Sequence, residues 1–159
     1  MKKHGEQMKV DLKNNMPKAI NINAYQAGDI IQLAPDTVMV SINNEHEQLF
    51  PLLLDRKSPK VLTLQFADIQ DDKYMNGTTY HPIPEEQAYW LLKFIEEHKG
   101  KNFIVHCAAG ISRSAAVCLF LHLMHGYDLK ENFWKVSHPN KYVVGALMVY
   151  YAKNKNNLI

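Results

Sequence analysis

Arginine and cysteine are both scarce in this chain. Among 159 residues there are sixteen lysines but only two arginines, Arg56 and Arg113, and two cysteines, Cys107 and Cys118. So few cysteines cannot build a disulfide framework, so a reducing, cytoplasmic setting is expected and stability must come from a packed core. A strong charge of one sign is missing too. The formal net charge of +2 implies neither a nucleic acid nor an acidic membrane as partner. No apolar run has the length of a membrane span, and the N-terminus lacks the apolar stretch of a signal peptide. A GxxxxGK pattern is also absent, which excludes a Walker-type nucleotide loop. Repeats and composition breaks are lacking as well, so residues 1–159 read as a single domain with loose termini at 1–16 and 154–159.

What is present is a regular alternation of strand and helix signals. Lys18–Asn23 alternates and reads as an edge strand, Gly28-Asp29 as a turn and Ile30–Leu33 as a further short strand. Thr37–Ile42 and Val61–Phe66 are apolar runs of buried-strand length. Between them, Asn43-Asn44 is a candidate cap for a helix over Glu45–Leu54, stopped or kinked at Pro51. The polar stretch from Asp55 to Lys60 reads as a solvated turn, with Arg56 as an alternative source of positive field near a substrate. Ala67–Thr79 shows no periodicity and reads as a long loop, a class that is often functional.

Glu85–Lys99 places Ala88, Leu91, Leu92 and Ile95 on one helical face. Asn102–Val105 reads as a buried strand and Ala115–Met124 as a buried helix ending at Gly126. A short helix over Leu129–Val136, capped by Asp128, and a last helix over Val143–Lys153 complete the chain. This order predicts an α/β fold, a central, mostly parallel sheet flanked by helices.

Reactive residue types gather between the last strand and the buried helix, in His106-Cys-Ala-Ala-Gly-Ile-Ser-Arg-Ser114. A loop at a helix start offers unpaired N–H groups and the positive end of a dipole, so it binds anions. The same field, with the Arg113 guanidinium, favours the thiolate of Cys107. Arg113 can hold two oxygens of a tetrahedral oxyanion in a planar fork, and a lysine-rich chain keeps arginine where such a fork matters. Gly110 lets the backbone turn its N–H groups inward. Ser114 can cap the helix and donate to the sulfur.

These residues spell HCxxGxxRS, with five residues between Cys107 and Arg113. On this motif the chain resembles the cysteine-based protein tyrosine and dual-specificity phosphatase superfamily, as a compact member, over most of residues 37–151. The resemblance implies a phosphomonoester hydrolase working through a cysteinyl-phosphate, with no cofactor and no metal. It implies Cys107 as nucleophile and Arg113 as phosphate holder, with the backbone of Ala108, Ala109, Gly110, Ile111, Ser112 and Arg113 as the anion cradle. Ser114 would assist thiolate departure, and His106 would brace the loop from behind. It also implies an aspartate on a loop as general acid and then base. Asp68 comes first after the strand and is the leading candidate, with Asp72 and then Asp71 behind it. The 39 residues from Asp68 to Cys107 exceed the usual separation, which keeps all three open. Asn140, after Pro139, is a candidate for placing the attacking water and equally a helix cap.

The implied partner is a phosphorylated protein, phosphotyrosine and possibly phosphoserine or phosphothreonine. Ala108 and Ala109 stand where phosphoinositide phosphatases carry basic residues, which disfavours a polyanionic lipid. Three alternatives stay open: rhodanese-like sulfur transfer, disfavoured by the loop spacing, a pseudophosphatase that only binds phosphate, and an RNA 5′-phosphatase activity. Cys118, His122 and His125 share helical spacing but read as residues of an apolar helix and not as a metal site.

Overall fold

The computed structural model describes residues 16–129 and 138–158. The short helix expected over Leu129–Val136 lies mostly outside these residues, as does nearly all of the N-terminal segment expected to be loose. Ten elements are described: β1 (Ala19–Ile22), α1 (Ala24–Gly28), β2 (Thr37–Asn43), β3 (Val61–Gln65), β4 (Lys73–Met75), β5 (Thr78–Tyr80), α2 (Glu85–Glu97), β6 (Asn102–His106), α3 (Arg113–His125) and α4 (Lys141–Asn154). Four strands form a sheet in the order β1-β6-β2-β3. All its pairings are parallel. The architecture is therefore α/β with a parallel central sheet, as the alternation of signals predicts.

Strand β2 is buried at every position, which explains its continuous apolar run: a parallel strand covered on both faces has no polar side. Val38, Val40 and Ile42 face a core shared with Phe103, Val105, Leu91, Leu121 and Leu147 from β6 and the three long helices. Met39 faces the other way, into a smaller cluster with Ala27 of α1 and Val61 of β3. Helix α2 buries Ala88, Leu91, Leu92 and Ile95 as its spacing predicts, and also Phe94. Helix α3 is buried along most of its length and ends on Gly126 at φ 72°, the left-handed stop that a glycine permits. No helix among the described residues is long and apolar enough to cross a membrane.

The structure corrects several local expectations. Ile30–Leu33 is not a strand. The turn there is preceded instead by the one-turn helix α1, held by a capping box between Asn23 and Gln26. Glu45–Leu54 is not a helix either. Its carbonyls are taken up elsewhere: the Phe50 oxygen accepts from Arg56, and the Glu47 oxygen accepts from Gln65 Nε2 at 2.9 Å. Arg56 is not a solvated turn residue. Besides Phe50, it donates through Nη1 to Ser41 Oγ and Thr63 Oγ1, both at 2.9 Å, and so staples the segment between β2 and β3 to the sheet. Ala67–Thr79 is not all loop, because β4 and β5 pair antiparallel within it. Their turn is Asn76-Gly77, with φ of 50° and 81°, the pair of positive angles that a two-residue hairpin of this type needs. At the C-terminus the expected loose tail folds back. Leu158 is buried in the core, and its carbonyl accepts from Lys93 Nζ at 3.2 Å.

Candidate active site

The segment Cys107–Ser112 leaves β6 at the carboxyl end of the sheet and enters α3, where a parallel sheet collects its functional loops. It is braced from one side by β1 and the start of α1. Ala24 N–H donates to the Ala108 carbonyl at 3.1 Å, and Asn21 Nδ2 donates to the Gly110 carbonyl at 2.7 Å. Gly110 itself has φ 71°, and a Cβ there would stand 2.8 Å from the Ile22 carbonyl. Only glycine fits between the end of β1 and the loop. On the far side, the Ser112 carbonyl accepts from both Ala116 N–H and Asn140 N–H, each at 3.0 Å.

Cys107 is buried beneath this loop, its Sγ 3.1 Å from Ser114 Oγ. Burial pushes its thiol pKa up, but the Ser114 hydroxyl, the backbone N–H groups of Ser114 and Gly110, and the charge of Arg113 outweigh it. The pKa ends below its ordinary value. Cys118 shows the contrast. It is fully buried in α3, and burial together with the nearby Cys107 pushes its pKa strongly up, so it stays a thiol. Ser114 does not cap α3 as expected. Ser112 is the capping residue, and its side chain makes no capping bond. As the second residue of the helix, Ser114 points its side chain back toward the N-terminus, as helical side chains do, and so reaches under the loop to the sulfur.

Arg113 is buried, its guanidinium at the carboxyl ends of β2 and β3. Its Nη1 donates to the Phe66 carbonyl at 2.7 Å and the Asn43 carbonyl at 3.3 Å, and its Nη2 to Asn44 Oδ1 at 2.7 Å. Its Nε is buried with no hydrogen-bond partner among the described residues. An orphaned guanidinium N–H next to a thiol of lowered pKa is suited to an oxyanion. Asn43 and Asn44, expected to cap a helix, thus serve the site instead. Asn44 also donates to Glu47 Oε2 at 2.9 Å, and Asn43 Oδ1 accepts from Phe50 N–H at 2.9 Å. The signal that could have found them is their position, two amides at the carboxyl end of a fully buried parallel strand.

His106 is fully buried on the opposite face of the sheet, and its protonation can be counted out. Ser41 Oγ is approached by Arg56 Nη1 at 2.9 Å and Asn43 Nδ2 at 3.1 Å, both of which only donate. The Ser41 proton therefore goes to His106 Nε2, 2.6 Å away, and the ring proton sits on Nδ1, facing the Cys107 carbonyl at 3.3 Å. Burial, with Arg56 and Arg113 adding to it against one favourable backbone bond, lowers the His106 pKa to about 4. It is neutral at physiological pH. Arg56, read from sequence as peripheral, lies at the head of this relay.

Of the three aspartates, Asp68 is the one brought to the loop. Its Oδ1 accepts from Ser112 Oγ and from Asn140 Nδ2, both at 2.8 Å. Asn140 also caps α4, its Oδ1 accepting from Val143 N–H at 3.1 Å. The helix-cap reading of Asn140 therefore holds, and the same amide also holds Asp68. Asp71 and Asp72 are exposed on the stretch leading to β4, and Asp72 lies close enough to favour the charged form of His81. Beyond Asp68 a cleft runs under the hairpin, lined by Asn44, Glu45, Lys73, Met75 and Tyr80 among others. The other helical candidates have packing roles. His122 Nδ1 lies 2.7 Å from the Tyr127 carbonyl, and the His125 ring packs against Phe120 and Tyr151.

No protein-family model and no curated protein matches the sequence. Solved structures match it in fold. A point variant of human DUSP28 aligns with a TM-score of 0.50 and 22% identity, over 89% of this chain and 97% of that one. Human DUSP28 aligns at 0.46 and 23% identity, over 87% and 94%. A human tyrosine phosphatase-like serine/threonine/tyrosine-interacting protein aligns at 0.42 and 23% identity, over 75% and 78%. The first of these alignments carries the inference: this chain has the fold of a compact dual-specificity phosphatase.

Proposed function

We propose that this protein is a cysteine-dependent phosphomonoester hydrolase that acts on phosphorylated proteins, phosphotyrosine foremost. The observation that carries this reading is the pairing of Cys107 with Arg113. A thiol of lowered pKa lies at the base of a glycine-turned loop, beside a buried guanidinium whose Nε has no partner among the described residues. In the first step Cys107 attacks phosphorus in line. Arg113 and the loop amides from Ala108 to Arg113 hold the equatorial oxygens, and Asp68 protonates the leaving oxygen. Ser112 and Asn140 both occupy Oδ1 of Asp68, so the transferred proton sits on Oδ2. Water then attacks the cysteinyl-phosphate with Asp68 as base, and sulfur leaves. This chemistry calls for no metal.

The rim supports a single monoester over a polyanion. Ala108, Ala109 and Ile111 are exposed and uncharged, so the mouth of the loop adds no cation for further phosphates. The test is hydrolysis of a small aryl phosphate with chelator present. Wild type should turn over, and Cys107→Ser should be inactive. Asp68→Ala should lose about 10²–10³-fold in kcat, most for poor leaving groups, as removal of a general acid does. If Asp68→Ala keeps full rate on poor leaving groups, the acid is Asp72 or Asp71. A wild type that binds vanadate but hydrolyses nothing would make the protein a phosphate-binding module.

A further inference from the structure

Asn21 lies on β1, fully buried, on an edge strand far from the motif in sequence. Its carboxamide touches the loop at two points. Nδ2 donates to the Gly110 carbonyl, and Oδ1 receives a short hydrogen bond from the Ser114 hydroxyl. The amide cannot be turned the other way, because the Gly110 carbonyl needs a donor and a carboxamide oxygen is none. The direction of the second bond follows. Oδ1 only accepts, so the single proton of Ser114 points at Asn21.

That proton has a second claimant. Cys107 Sγ is 3.1 Å from the same Ser114 oxygen, and a hydroxyl has one hydrogen to give. With the hydrogen on Asn21, Ser114 Oγ can accept from the thiol, and a chain runs from S–H to O–H to the amide oxygen. With the hydrogen on sulfur, Ser114 supports the thiolate, and a buried amide oxygen loses this donor. We propose that Asn21 is a positioning residue that competes with the Cys107 sulfur for the Ser114 proton and so sets how readily sulfur becomes a thiolate.

The inference rests on the hydrolase reading and deepens its second step. When water attacks the cysteinyl-phosphate, a P–O bond forms, the P–S bond breaks and its electron pair stays on sulfur. One water proton passes to Asp68. No proton leaves Ser114; its hydrogen swings from Asn21 to the new thiolate, and Asn21 opposes that swing. The same opposition leaves the attacking sulfur less stabilised, hence more nucleophilic, in the first step.

The test is the pH dependence of Cys107 alkylation by iodoacetamide, in wild type, Asn21→Leu, Ser114→Ala and the double variant. Alkylation needs a reactive thiol and no turnover, so its outcome is separate from the aryl phosphate assay that tests the hydrolase reading. The expected result is that Asn21→Leu lowers the midpoint by about one pH unit, the scale of one buried hydrogen bond. In the Ser114→Ala background the same substitution should move it by less than about a third of that. Equal shifts in both backgrounds would mean that Asn21 acts through Gly110 and the loop's shape, and would overturn the proposal. So would a raised midpoint in Asn21→Leu. Far-ultraviolet circular dichroism establishes that each variant is folded, and Asn21→Ala, with the same expected outcomes, replaces Asn21→Leu if the latter is not.

Discussion

His106 makes hydrogen bonds through both ring nitrogens only while it is uncharged, because Nε2 must accept from Ser41. The unfolded chain protonates this histidine near 6.5, the folded chain only near 4. Across that window the unfolded state binds more protons, so folding stability is complete above about 6.5 and falls as pH drops toward 4. The loss approaches roughly 3 kcal/mol from this one side chain. Urea unfolding at pH 7, 6, 5 and 4 measures it, and His106→Gln should flatten the slope between 6.5 and 4. Gly110 gives a second residue-scale prediction. A Cβ there meets the backbone of Ile22 and Asn23 at 2.8–2.9 Å, on a residue already at φ 71°. Backbone cannot swing aside as a side-chain tip can. Gly110→Ala should cost about 2–3 kcal/mol in urea unfolding, from the left-handed backbone and the overlap together.

At the scale of elements, the segment between β2 and β3 depends on Arg56 rather than on helical hydrogen bonds. Arg56→Met would leave the Phe50 carbonyl and the hydroxyls of Ser41 and Thr63 without their charged donor. A loss of about 3 kcal/mol is expected, and Arg56→Lys should restore less than half, because an ammonium lacks the planar fork that reaches three oxygens. Amide hydrogen exchange should show the loss of protection concentrated in residues 44–60. This segment also marks where legibility ended. Glu45–Leu54 follows a plausible helix cap, yet Arg56, pinned to Ser41 and Thr63 of the sheet, takes the Phe50 carbonyl, and no helical pattern encodes that. The turn Asn76-Gly77 was different: its signal was present in the chain, but the strands it joins are three residues each, too short for alternation to register. The buried strands and helices, by contrast, follow from continuous or 3.6-spaced apolar residues. The reactive loop was readable because its chemistry is contiguous. Asn21, Asn44 and the relay from Arg56 to His106 were not, because each meets its partners from segments well separated in the chain.

Taken whole, the molecule places its reactive strand in the interior of the sheet. The first two strands in sequence, β1 and β2, are not neighbours. Each pairs with β6, which lies between them, Ala19 against Phe103 and Val38 against the same residue. Among the described residues, the sheet pairing of β1 therefore waits for a strand far along the chain, and such non-local pairing is slow. In stopped-flow refolding, the raised reactivity of Cys107 toward iodoacetamide near neutral pH should appear with the final phase and not before it. The order of strands also has a consequence for a chain still being made. While it leaves the ribosome from its N-terminus, β1 has no place in the sheet until residue 106 has emerged, and the loop that β1 braces comes after that. A nascent chain can therefore acquire its helix α2 and its β2–β3 pair, but it holds no reactive centre. The Cys107 loop gains its brace only when β1 joins β6 in the sheet.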